Sequence, residues 1–230
     1  MRTEPERQLQ AYLDELYHTL PDAGQNPLSI RPQLHVQEAE GFLNGLKAGL
    51  FQIDRDGHVQ SRLLAPVSCT GRRQKILQIF WHWAGGRILF REGVCQLAAA
   101  SSQVLEYGWG IANVRLEPDQ SDVGATAYGV DLTVRCPPNG PVLICGEVKK
   151  SIPELRKLFD DLADCSLRGP HPQTACHRKN HPKFEFCMQE KPQYFWAVCP
   201  GKRLAFRTDF TGAVMTLRPI DDIPQNPSKG

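Results

Sequence analysis

Two short stretches hold the residue types best suited to chemistry: Gly-Val-Asp131-Leu-Thr-Val and Ile-Cys-Gly-Glu147-Val-Lys149-Lys150. Both have the apolar, β-branched content of strands. Pro137-Pro-Asn-Gly140 between them is a turn sequence, so they read as the two arms of a hairpin. Side chains alternate along a strand. Glu147 and Lys149 therefore share one face, Ile144 and Val148 point the other way into a core, and Asp131 sits mid-strand in the adjacent arm. Charges on otherwise apolar strands are costly unless they pair or hold an ion. Asp131 and Glu147 offer the oxygen donors that suit Mg²⁺, which takes one or two protein carboxylates alongside water and phosphate; Mn²⁺ is the natural substitute. Lys149 beside them would orient or help deprotonate an attacking water, or stabilise charge on phosphate. That is the apparatus of metal-assisted phosphodiester hydrolysis. The plainer alternative is an exposed ion pair of Glu147 and Lys149 with Arg135 or Asp131.

The elements that must position these residues follow from periodicity. Leu9, Tyr12, Leu13, Leu16, Tyr17 and Leu20 predict an amphipathic helix over 6–20, and Val36, Ala39, Phe42, Leu43, Leu46 and Leu50 a second one. A hairpin is expected over 51–64 around Asp54-Arg-Asp-Gly57. Helix followed by hairpin resembles part of a winged-helix unit; a small packing subdomain is the competing reading. Ile76, Leu77, Ile79, Phe80 and Trp83 predict a helix over 72–83, and 89–107 reads as another, closed by Gly108-Trp-Gly110. The period then changes to two: strands are expected at 111–117, 128–135 and 141–149. A helix over 151–165 begins with Ser151, Pro153 and Glu154. Residues 169–192 read as a polar loop rich in Pro, His and Cys. Strands are expected at 194–199, 203–207 and 213–218.

This order of elements and residues resembles the PD-(D/E)xK nuclease superfamily, the restriction-endonuclease-like fold, over about residues 88–207. The family places Asp on one strand of a hairpin and Glu-x-Lys on the next, here Asp131, Glu147 and Lys149, with Val130 where a Pro often stands. Arg91-Glu92, a long helix and Gly108-Trp-Gly-Ile-Ala-Asn-Val-Arg115 look like the start of archaeal Holliday-junction resolvases. The resemblance implies an α/β fold with an αβββαβ core, a mixed central sheet flanked by helices. It also implies a helical glutamate that holds the metal or a water on it. Glu92, near the helix start, is preferred for that role over Glu106. The implied organisation is an accessory subdomain at 1–87, a nuclease-like domain at 88–220 and a tail at 221–230. A homodimer is implied by the resemblance alone.

Lys and Arg total 27, Asp and Glu total 25, and the formal charge is only +2. A uniformly basic protein that coats nucleic acid is thereby excluded, but the sum hides the distribution. Residues 1–60 carry nine acids, whereas 61–91 carry Arg62, Arg72, Arg73, Lys75, Arg87 and Arg91 and no acid. Residues 166–207 are also strongly basic. Two basic blocks flanking an acidic metal site suit a phosphate backbone, and Arg72, Arg73, Lys75, Arg178, Lys179 and Lys183 are the expected nucleic-acid contacts. A solvated charged surface is the alternative.

The chain has 8 cysteines, several inside apolar runs, which reads as reduced and mostly buried thiols. Cys176, His177, His181 and Cys187, with Cys165 upstream, offer tetrahedral zinc donors. Their spacing contains no Cys-x-x-Cys, and adjacent Cys176 and His177 suit one ion badly, so a structural zinc is not expected from sequence. No stretch has the roughly 18 apolar residues of a membrane span, and the polar N-terminus lacks a signal core, so the expectation is a cytoplasmic protein. The function expected is a Mg²⁺-dependent endonuclease acting on DNA. The alternatives are a non-catalytic nucleic-acid-binding protein or regulator on the same fold, and a related nuclease acting on RNA.

Overall fold

The apolar stripe of the first segment becomes α1 (Glu4–Thr19), with Leu9, Leu13 and Tyr17 buried. The computed structural model describes residues 2–20, 23, 27–64, 77–83, 86–116, 130–168, 176 and 178–227. α2 (Val36–Lys47) follows, then the hairpin of β1 (Phe51–Ile53) and β2 (Val59–Ser61). The hairpin turn is built by Asp54, whose Oδ1 accepts from Asp56 N and His58 N, both at 2.9 Å. β3 (Phe80–Trp83) and β4 (Gly86–Leu89) form a second small hairpin.

The sequence expectation of a helix over 72–83 is therefore wrong at its described end. Apolar residues at 76, 77, 79, 80 and 83 fit a helical stripe, but Phe80 is buried and Trp81 exposed, the alternation of a strand. β4 supplies the partner strand that the helical reading leaves out. Residues 72–76 lie outside the described residues.

α3 (Arg91–Leu105) runs buried through the molecule. It packs so closely on α2 that a Cβ at Gly45 would stand 2.0 Å from Ser101 Oγ. A buried Arg91–Glu38 ion pair ties the two helices together, with Cys95 Sγ 2.9 Å from Glu38 Oε1. Gly108, at φ +77°, turns the chain away beyond the helix end.

The central sheet is mixed and six-stranded, in the order β10-β9-β8-β7-β6-β5. Its strands are β5 (Val114–Leu116), β6 (Leu132–Arg135), β7 (Val142–Val148), β8 (Tyr194–Cys199), β9 (Lys202–Thr211) and β10 (Val214–Ile220). Among these six strands, β7 and β8 form the parallel pair. Between them come α4 (Ile152–Arg168) and α5 (His181–Glu190). α5 corrects the loop expected over 169–192. Pro182 stands in the first helical turn, which tolerates proline, and the helix buries its own Phe184, Phe186 and Cys187.

The sheet separates two cores. On one side Ile144, Val148 and Trp196 join residues of α1, α2 and α3 in one continuous cluster. On the other, Cys145, Phe195 and Ala197 pack against Leu155, Leu158 and Leu162 of α4 and Phe184 of α5. β7 is buried on both faces, as a strand covered by helices on both sides must be. Among the described residues, no helix is long and apolar enough to cross a membrane.

Candidate active site

The C-terminal end of β7, the first turn of α3 and the first turn of α5 meet at one point. Alternation along β7 sends Ile144 and Val148 into the α3-side core, as expected, and leaves Glu147 on the other face, fully buried. Lys149 follows the strand, its N–H donating to Val198 O at 2.8 Å, which keeps its backbone in line with the sheet. Lys149 Nζ stands 2.9 Å from Glu147 Oε2, 3.4 Å from Glu92 Oε1 and 3.6 Å from Asp131 Oδ2. Lys183 Nζ, from α5, stands 3.0 Å from Glu147 Oε1.

Asp131 lies just before β6 rather than mid-strand. The antiparallel register pairs Leu132 with Gly146, so the next position brings Asp131 opposite Glu147. Its carboxylate is fixed from two sides: Oδ2 accepts from Val148 N at 2.7 Å and Oδ1 from Gln96 Nε2 of α3 at 2.8 Å. Gln96 is thus a positioning residue with no sequence signature beyond its place one helical turn after Glu92.

Burial governs the electrostatics. It pushes the Glu147 carboxyl up to about 7, reinforced by Asp131, while Lys183 and Lys149 pull it back. Burial also raises Glu92, against the opposing pull of Lys149. Burial works to lower the Lys149 ammonium, but Glu147, Asp131 and Glu92 outweigh it and hold that group well above the usual lysine range. Lys183 shows the same contest, won by Glu147 and Asp131. Three carboxylates thus face two ammonium groups. The donors toward Lys149 are all oxygen, the chemistry of a hard cation, and its ammonium stands within 3.6 Å of each carboxylate, at the place a cation would take. In donor type and shared centre, the residues fit a divalent ion that displaces this ammonium.

Glu92, Lys149 and Lys183 open onto a groove of about 900 Å³, whose walls also carry Arg31, Arg87, Lys150, Lys157 and Lys179. Trp81, at 47% exposure, stacks on Phe90 at the same groove, with centroids 4.1 Å apart and planes 15° apart.

Glu92, Asp131, Glu147 and Lys149, expected together from sequence, are brought together. They are not the exposed ion pair of the plainer alternative, since Glu147 is fully buried. Glu106 is elsewhere, paired with Arg203 at 2.7 Å at the far end of α3, about 20 Å from Glu92 along the helix. Lys183, expected as a surface contact, is instead inside the cluster. Lys179 lines the groove, while Arg178 pairs with Asp164 at 2.8 Å. Arg72, Arg73 and Lys75 lie outside the described residues. Sequence reasoning missed Trp81, hidden by the helical reading, and Arg31, Lys150 and Lys157, which carry no signal apart from charge. The Cys/His set also regroups. Cys187 Sγ sits 3.9 Å from Cys145 Sγ in the core, whereas Cys165, Cys176 and His181 come together between α4 and α5. His177 lies outside the described residues. Comparison of the chain with protein-family models, curated proteins and solved structures finds no match.

Proposed function

We propose that this protein is a metal-dependent endonuclease that hydrolyses DNA phosphodiester bonds, on a restriction-endonuclease-like core of α3, β5 to β7, α4 and β8. The observation that carries the reading is the convergence of Asp131, Glu147 and Glu92 on Lys149 Nζ beneath a cationic groove. Asp131 and Glu147 would hold Mg²⁺. When bound, that ion supplies Lewis-acid polarisation of a phosphoryl oxygen and lowers the pKa of water.

The protein's own groups do the rest. Lys149 lines the groove, and its ammonium orients the attacking water or stabilises charge gathering on the phosphate. Glu92, at the groove wall, is placed to orient the same water. Lys183 faces Glu147 and pulls its carboxyl back down against burial. Arg31, Arg87, Lys150, Lys157 and Lys179 present charge to the phosphate backbone, and the Trp81–Phe90 stack offers a platform for an unstacked base.

Purified protein with Mg²⁺ should nick or cut DNA, and Lys149→Ala should lower the rate about 10²–10³-fold while thermal unfolding shows the variant folded. Equal rates in the wild type and the folded variant would sink the assignment.

One observation favours a second reading. Lys149 and Lys183 already pair with the buried carboxylates, so the cluster is neutralised to within one charge without an ion. A non-catalytic nucleic-acid-binding protein would use the same groove. It would bind DNA in a salt-sensitive way with no Mg²⁺-dependent cutting.

A further inference from the structure

Cys165 near the end of α4, Cys176 in the segment before α5, and His181 at the first position of α5 bring three soft donors to one point. We propose that they form a zinc site that clamps α5 to α4.

The spacing carries the argument. Zinc takes Cys at about 2.3 Å and His at about 2.0–2.1 Å in tetrahedral geometry. Two such thiolates would lie about 3.8 Å apart, and a thiolate and an imidazole nitrogen about 3.6 Å apart. Cys165 Sγ and Cys176 Sγ are 3.9 Å apart, and His181 Nδ1 is 3.4 Å from Cys165 Sγ. All three ligand atoms lie within 4.8 Å of one another. The sulfurs are thus at the separation of two ligands on one ion, far beyond the roughly 2.05 Å of a disulfide.

The surroundings supply what a zinc histidine needs. His181 Nε2 faces Glu185 Oε1 at 3.3 Å, one turn along α5. The contact has ion-pair distance but not hydrogen-bond geometry as it stands; a small turn of the ring on the ion would let the carboxylate accept from Nε2–H and leave Nδ1 as the ligand, the usual support of a metal-bound imidazole. Neighbouring contacts hold the incoming segment against α4: Asn180 Nδ2 donates to Asp161 Oδ2 at 2.8 Å, and Arg178 Nε to Asp164 Oδ2 at 2.8 Å. Cys165 and His181 are buried and Cys176 half-buried, so the fourth position of the tetrahedron would be taken from solvent on the Cys176 side. The clamp fixes the helical turn that presents Lys183 to Glu147. It does not depend on the nuclease reading, and its test does not read cleavage.

The full chain, purified without chelator, should carry one equivalent of zinc by elemental analysis. Replacement by Co²⁺ should give the near-ultraviolet absorption of thiolate-to-cobalt charge transfer, which a carboxylate site cannot produce. Cys176→Ser should lose the zinc and most of that absorption, and Cys136→Ser, at an exposed cysteine outside the site, should keep both. Glu185→Gln should weaken the metal about 10–100-fold. The proposal is overturned if wild-type protein gives no cobalt–thiolate absorption. It is equally overturned if zinc survives in Cys176→Ser but is lost in Asp131→Asn, or if native protein yields a Cys165–Cys176 disulfide.

Discussion

Two clusters flank the start of α5, and they differ in every respect that decides which ion a protein holds. At the end of β7 the donors are carboxylates, two from the arms of one hairpin and one from α3, and an ammonium group occupies their common centre. Between α4 and α5 the donors are two thiols and an imidazole, spaced as around a small tetrahedral ion. Hard oxygen donors with a displaceable occupant suit a cation that comes and goes with substrate. Soft donors held at ligand spacing suit one that stays. His181 and Lys183 lie in the same turn of α5, so the permanent ion would anchor the helix that serves the exchangeable one.

That contrast can be broken at several points. The largest effect should come from Asp131→Asn, which removes a proposed Mg²⁺ ligand while keeping an amide partner for Gln96. Mg²⁺-dependent cleavage should fall about 10²–10³-fold, with zinc content unchanged by elemental analysis. Loss of both together would show that the clusters are not separate. The next effect is on stability. Glu147 has its carboxyl raised from 4.5 to about 7 in the folded protein. The stability it contributes is complete below the unfolded value and is lost as pH rises through about 7, because the folded state prefers the protonated form. Without added Mg²⁺, urea unfolding should show a loss of about 3 kcal/mol from this group between those limits. Glu147→Gln should flatten that slope, and an identical slope in both proteins would contradict the account.

Smaller effects sharpen the picture. Removing zinc should lower Tm by about 5–10 °C at a metal concentration near 100 times Kd, followed by calorimetry with and without a zinc chelator. Lys179→Ala should leave sequence preference untouched and reduce the salt slope of DNA binding by about 1. The smallest is Glu106→Gln, which should leave cleavage at the wild-type rate and cost about 1 kcal/mol or less from its partly exposed pair with Arg203. A large loss of activity there would return Glu106 to the site.

The oxygen cluster was readable because strand alternation and a short hairpin turn fix which residues face which. The turn at Pro137-Pro-Asn-Gly140 pairs Arg135 with Val142, and a one-residue register shift between Val134 and Arg135, which has no sequence signal, then brings Asp131 opposite Glu147 rather than Gly146. Glu92 could be preferred over Glu106 because it begins the helix, and the structure places only Glu92 beside Lys149. Lys183 was misplaced because α5 is short and opens with His181-Pro182, so its residues read as a loop and its lysine as a surface charge. The same misreading grouped Cys176, His177, His181 and Cys187, with Cys165 upstream, as loop donors whose spacing did not suit zinc. Linear spacing says nothing about donors brought together by two helices packing, and Cys187 turned out to pack in the core with Cys145. Trp81 was hidden because its apolar neighbours fit a helix and a strand equally well until β4 supplied a partner.

The most direct measurement is relaxation of supercoiled DNA by the full chain over a Mg²⁺ titration, repeated with Mn²⁺ and in parallel with Glu147→Gln. The account predicts no relaxation without a divalent ion, a rate that rises with Mg²⁺ and saturates, and a variant slower by about 10² or more at every concentration. Wild-type relaxation that does not depend on the ion, or a variant that matches the wild type across the titration, would contradict it.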